Sequence, residues 1–123
     1  MVTLMETIKI VGQRGSWFAK ANGNRLPIMW ADEMTKSGSD TILRTDWLET
    51  LASDNAGPKR ASLVEYFKNH LGSSCEFIVA RAKDIHSRPR EILRYVGVFR
   101  GIVTSIEPEI ELRVTDRIAD AKR

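Results

Sequence analysis

Residues 92–106 read Ile-Leu-Arg-Tyr-Val-Gly-Val-Phe-Arg-Gly-Ile-Val-Thr-Ser-Ile. Branched and aromatic side chains of this kind suit a pleated, half-buried surface. The run is about 15 residues long, against a usual strand of about five or six. Gly97 and Gly101 fall on one face of it, which is how a strand bends sharply or crosses between sheets. Tyr95 and Phe99 share a face of the same strand. Upstream, Cys75–Ala82 alternates Cys75, Phe77 and Val79 with Glu76, Ile78 and Ala80. Both sides are largely apolar, which predicts a central strand. His86-Ser87-Arg88-Pro89-Arg90 joins the two as a turn. Downstream, Glu107-Pro108 turns the chain, Glu109–Thr115 forms a last strand with Ile110, Leu112 and Val114 inward, and residues 117–123 read as a polar tail.

The N-terminal half predicts a hairpin around Asn22-Gly23, the dipeptide best able to supply the two positive φ angles of a type I′ turn. A two-residue loop sets Ala21 opposite Asn24, Ala19 opposite Leu26 and Trp17 opposite Ile28. Trp17, Ala19, Leu26, Ile28 and Trp30 then share a core face, with Phe18, Lys20, Arg25, Pro27 and Met29 half-exposed on the other. Pro27 has no N–H, so its strand is expected at an edge or with that position turned outward. Thr7–Val11 reads as a further short strand, ended by Gly12-Gln13-Arg14-Gly15, and residues 31–40 as a polar loop. Asp46 and Glu49 open a short helix bearing Trp47, Leu48 and Leu51. A second helix carries Leu63, Val64, Phe67 and Leu71 at helical spacing, with a Ser62/Glu65 capping box and Gly72 at its end; Pro58 allows an earlier start.

Together these elements predict an α+β fold: a small, curled, partly closed and mostly antiparallel sheet or barrel of about six strands. One or two helices are inserted between the N-terminal hairpin and the C-terminal strands. With 123 residues, 42% hydrophobic and 28% charged, the chain is expected to form a single domain over 1–123, with residues 1–5 and 117–123 as flexible ends. No apolar run approaches the roughly 20 residues needed to span a bilayer, so no membrane partner is expected. The first residues show no export signal, and a lone cysteine, Cys75, permits no internal disulfide, so a cytoplasmic location is expected.

Charge is distributed unevenly. The net charge of +3 arises in residues 81–100, where six basic side chains (Arg81, Lys83, Arg88, Arg90, Arg94 and Arg100) stand against Asp84 and Glu91. If the strands on either side of the loop pair, these cations gather at one end of the sheet and neutralise phosphates, with Tyr95 or Phe99 offering a stacking surface to a base. The plainer reading is a solvated loop whose cations are matched by nearby carboxylates.

Other constellations carry less. Trp17 and Trp30 on one wall would cage a flat ring or a methylated cation, or would simply fill the core. Glu107, Glu109 and Glu111 form a carboxylate row able to hold a divalent ion, or to guard an edge strand. Cys75 reads as a buried, inert thiol and His86 as a neutral imidazole among arginines. One cysteine and two histidines make no usual zinc set. No metal or cofactor is therefore expected, and no catalytic residues are assigned. The expected function is a small non-catalytic binding module contacting RNA or DNA through a basic strand-loop-strand surface. The alternative is a protein-interaction or self-associating assembly subunit, whose interface would be its edge strands and the face of Phe18, Pro27 and Met29. An enzyme or pocket binder, built around the tryptophans with Asp32 or Glu33, ranks below both.

Overall fold

The computed structural model describes residues 6–12, 17–45, 56–86, 91–106 and 109–122. In chain order the elements are β1 (Glu6–Ile8), β2 (Ile10–Gly12), β3 (Phe18–Ala21), β4 (Asn24–Trp30), a 3-10 turn (Ala31–Glu33), β5 (Met34–Ser37), β6 (Asp40–Thr45), α1 (Ala56–Lys68), β7 (Ser74–Ala82), β8 (Ile92–Ser105) and β9 (Ile110–Ala121). The strands form one mixed sheet in the order β2-β3-β4-β7-β8-β9-β6-β5, with β1 beside β9. Pairing is antiparallel except between β4 and β7 and between β1 and β9.

The expected α+β, six-strand, partly closed barrel is overturned. The protein is mostly β, its nine-stranded sheet is not closed, and the described residues contain a single α-helix. Three differences account for this. The strand expected at Thr7–Val11 divides at Lys9, so that β1 lies along β9 and β2 along β3. Residues 31–40, expected as loop, enter a β5–β6 hairpin whose turn uses Gly38 at φ 64°. Its polar sequence hides it, because Thr35, Lys36 and Ser37 face water on an edge strand while Leu43, opposite Leu112, anchors the hairpin in the core. Residues 117–121, expected as tail, continue β9 against β8 and β1. The helix expected around Trp47, Leu48 and Leu51 lies outside the described residues.

The turn chemistry of the first hairpin is as its sequence dictates. Asn22 and Gly23 take φ values of 51° and 86°, and Ala21 pairs with Asn24 and Ala19 with Leu26. Its burial is not as expected: Phe18, Pro27 and Met29 are as buried as Ala19, Leu26 and Ile28. The sheet has a hydrophobic cluster on each face. One contains Phe18, Met29, Phe77, Val79 and the α1 residues Leu63 and Phe67; the other contains Ala19, Leu26, Ile28, Ile78, Ala80 and Val98. Nor is β4 an edge. In antiparallel pairs hydrogen-bonded and non-hydrogen-bonded positions alternate, and Ile28 N donates to Trp17 O at 2.8 Å. Pro27 therefore sits at a non-bonded pair with Phe18, and pairing with β7 begins only at Ile28. The missing N–H costs no ladder bond.

The glycines in β8 admit close backbone approach. A methyl group on Gly97 would collide with the carbonyl oxygen of Ala119, and one on Gly101 would come within 2.9 Å of the carbonyl oxygen of Arg113. The β8–β9 register shifts beside both, between Val98 and Phe99 and between Arg100 and Gly101. Helix α1 starts before the Ser62/Glu65 box, so Ser62 lies within it rather than capping it, and Pro58 falls in the first turn, where no N–H partner is lost. No helix of the described residues is long and apolar enough to cross a membrane.

Candidate functional site

The antiparallel β7–β8 ladder has two parts with different neighbours. On one side β4 pairs with β7 over Ile78–Ala80, and on the other β9 pairs with β8 from Gly97 to Ser105. Beyond those points no further strand pairs with β7 or β8 among the described residues, and the 3-10 turn Ala31–Glu33 lies beside β7. Arg81 lies opposite Arg94 and Ala82 opposite Ile92, and Lys83 N donates to Glu91 O at 2.9 Å. The result is a two-stranded ribbon.

Its faces follow from strand alternation. Ala80 belongs to the cluster that contains Ile28, and Ile92 and Tyr95 pack against that cluster with Trp30. Arg81 and Arg94 therefore share the outer face, and both are exposed. Residues directly opposite one another in a ladder have Cβ atoms about 5 Å apart, and like charges there repel. Neither arginine makes an ion pair among the described residues. Leu93 is skipped by the register shift between Arg81 and Ala82, and stands 60% exposed. Ile85 is 44% exposed in the following turn. In that turn Asp84 accepts the His86 N–H at 2.9 Å.

The six cations singled out by sequence thus have different surroundings. Arg81 and Arg94 are brought together. Lys83 at the ribbon's end is matched by Glu91, Nζ to Oε2 3.4 Å. Arg100 stands apart in the flanked part of the ladder, between Glu76 at 3.7 Å and Asp116 at 3.9 Å. Arg88 and Arg90 lie outside the described residues, in the connection that joins the two ribbon strands.

No match is found. Comparison of the chain with protein-family models, curated proteins and solved structures returns nothing similar to it. The chemistry rests on the geometry.

Neither aromatic ring of β8 offers a free face. Tyr95 packs inward with its hydroxyl against Gly12, and burial pushes its pKa up. Phe99 stacks on Phe77 at 6.3 Å, and the Arg117 guanidinium lies 5.6 Å from its centroid. The tryptophans are separated: Trp17 packs against the α1-side cluster and Trp30 against the opposite one. Trp17 precedes β3, so strand alternation does not fix its side. Of the carboxylate row, Glu107 lies outside the described residues, and Glu109 and Glu111 meet Arg44 Nε at 3.8 and 2.7 Å. Hydrogen bonds from Arg44, then from Thr104, hold the Glu111 carboxyl below its usual range. Burial, then the neighbouring Glu76, pushes the Cys75 thiol up to about 12, so it stays protonated. His70 Nδ1 is 2.7 Å from the Tyr66 carbonyl oxygen.

A second pair of cations was readable in the hairpin register but not singled out. Lys20 lies opposite Arg25 beside the Asn22-Gly23 turn, and both are exposed. The Arg25 guanidinium is held 4.0 Å over the Phe18 ring. That contact occupies Arg25, which sets it apart from Arg81 and Arg94.

Proposed function

We propose that this chain is a non-catalytic binding module that grips the phosphate backbone of a nucleic acid with the basic β7–β8 ribbon. The observation carrying this reading is the pair Arg81 and Arg94, directly opposite, exposed, and with no ion-pair partner among the described residues. Their repulsion costs the free protein about 0.2–1 kcal/mol. A polyanion laid across the ribbon relieves it and releases counterions. The covered rings of Tyr95 and Phe99 argue against base stacking there, leaving phosphate contact as the main source of affinity.

Fluorescent oligonucleotide pools provide the test. Binding is expected at low ionic strength and falls steeply with added salt, and Arg81→Ala with Arg94→Ala should reduce the salt slope by roughly 2. Absence of retention at low salt ends this reading. Leu93 and Ile85 support a second one, in which the ribbon docks on a protein partner through apolar contact. That mode predicts a partner whose binding is insensitive to salt and lost on Leu93→Ser.

A further inference from the structure

We infer that the phosphate fitting Arg81 and Arg94 best is a terminal monoester, so that the pair holds the phosphorylated end of a nucleic acid; this rests on the nucleic-acid reading above. The two arginines lie directly opposite in the ladder and are both exposed, with Cβ atoms about 5 Å apart. At that separation both guanidinium forks can close on a single tetrahedral group. Each fork gives phosphate two parallel N–H bonds. A diester within a chain carries one negative charge and two unesterified oxygens. A terminal monoester carries about −1.5 to −2 at neutral pH and three strong acceptor oxygens. The monoester therefore satisfies more of the donors and neutralises both cations.

The surroundings of the pair favour an end over a passing chain. Past Trp30 the 3-10 turn lies beside β7, and it carries Asp32 and Glu33. Towards the connecting turn the next described charges are the Lys83–Glu91 ion pair and Asp84, which accepts the His86 N–H. Towards the body the same face becomes the apolar α1-side cluster, reached at Val79 and Val96. A backbone running through the pair has to leave past one of these, against carboxylates or apolar side chains. A chain that stops at the pair has only to arrive.

Fluorescence anisotropy at one low salt concentration tests this with oligonucleotides of one sequence that differ only at their ends. They carry a 5′-phosphate, a 3′-phosphate, hydroxyls at both ends, or no ends at all, the last being a closed circle. At least one phosphorylated strand should bind about tenfold more tightly than the hydroxyl-ended strand. The circle should bind no better than the hydroxyl-ended strand. Arg81→Lys with Arg94→Lys keeps the charge and removes the forks. It should abolish the tenfold preference and leave affinity for the hydroxyl-ended strand unchanged, which also reports that the variant is folded. Equal binding of phosphorylated, hydroxyl-ended and circular strands overturns the end assignment and leaves the nucleic-acid reading standing. A preference that survives in the double lysine variant overturns its assignment to these two arginines. Failure of every strand to bind overturns both readings.

Discussion

Arg94 and Arg100 lie on the same strand and meet opposite fates. Arg100 sits where β8 has a neighbour on each side, and those neighbours bring Glu76 and Asp116 within 4 Å of its guanidinium. Arg94 sits where the flanking strands have ended, and its one cross-strand neighbour is another arginine. The residue type is the same and so is the strand. What differs is the register, which decides whether a cation is spent on the fold or left facing outward. The ribbon sets two arginines against each other, whereas Arg100 in the flanked part of the same strand is met by a carboxylate from each side.

The contrast breaks first if the body proves soft. Phe77, with no exposed surface, stacks against Phe99 and packs in the α1-side cluster. Phe77→Ala should cost about 3–5 kcal/mol in urea denaturation, whereas no single substitution on the ribbon's outer face should cost a tenth of that. A comparable loss from Arg94→Ala would show the ribbon to be part of the cooperative unit. Next in size, Gly97→Ala places a methyl against the Ala119 carbonyl and should destabilise by about 1–3 kcal/mol. An unchanged midpoint would mean that β8 and β9 are not closely apposed at the bulge.

The two arginines supply the sharpest form of the comparison, because their signs should differ. Arg100→Ala removes two exposed ion pairs and should lower stability by up to about 1 kcal/mol. Arg94→Ala removes a repulsion and should raise it by about 0.2–1 kcal/mol. Thermal melts at low salt should separate them, and added salt should shrink both effects.

Titration extends the same contrast. Cys75, in the body, has its thiol raised to about 12 from its ordinary 9.0, so the folded state holds that proton more tightly than the unfolded state. Its contribution is complete below about pH 9 and is lost as pH rises towards 12. Ellman's reagent at pH 8 should therefore label the thiol slowly in the native protein and rapidly in urea. Glu111 is displaced the other way by Arg44 and Thr104. Its contribution is present above its ordinary 4.5 and is lost as pH falls through its lower folded value. This should be the smallest effect, visible as an acid midpoint that moves upward in Arg44→Ala.

Much of the local structure was legible. Asn22-Gly23 dictated a turn with two positive φ angles and so set the hairpin register. The long apolar run after Glu91 declared one long strand, but that its two glycines admit the backbone of β9 came only from the tertiary structure. That β7 and β8 are neighbours across a turn was legible, but the register shifts on either side of Arg81, which set it opposite Arg94, were not. Illegible were the strands with polar sequences. Met34–Ser37 carries a single half-buried apolar residue and exists because Leu43 behind it is anchored opposite Leu112. Arg117–Ala121 looks like a solvated tail because its strand identity comes from β1 and β8, which lie far from it in the chain.

Local chemistry, then, was enough to specify the Asn22-Gly23 turn and the apolar strands, since these depend on φ preferences and on side chains a few residues apart. It also concentrated the positive charge between Arg81 and Arg100. Long-range pairing set the rest: how many strands join the sheet, that both of its faces carry a buried cluster, and which of those cations meet a carboxylate among the described residues. A ladder partner brings its own side chains with it, and nothing in a residue's immediate neighbours says which partner will arrive.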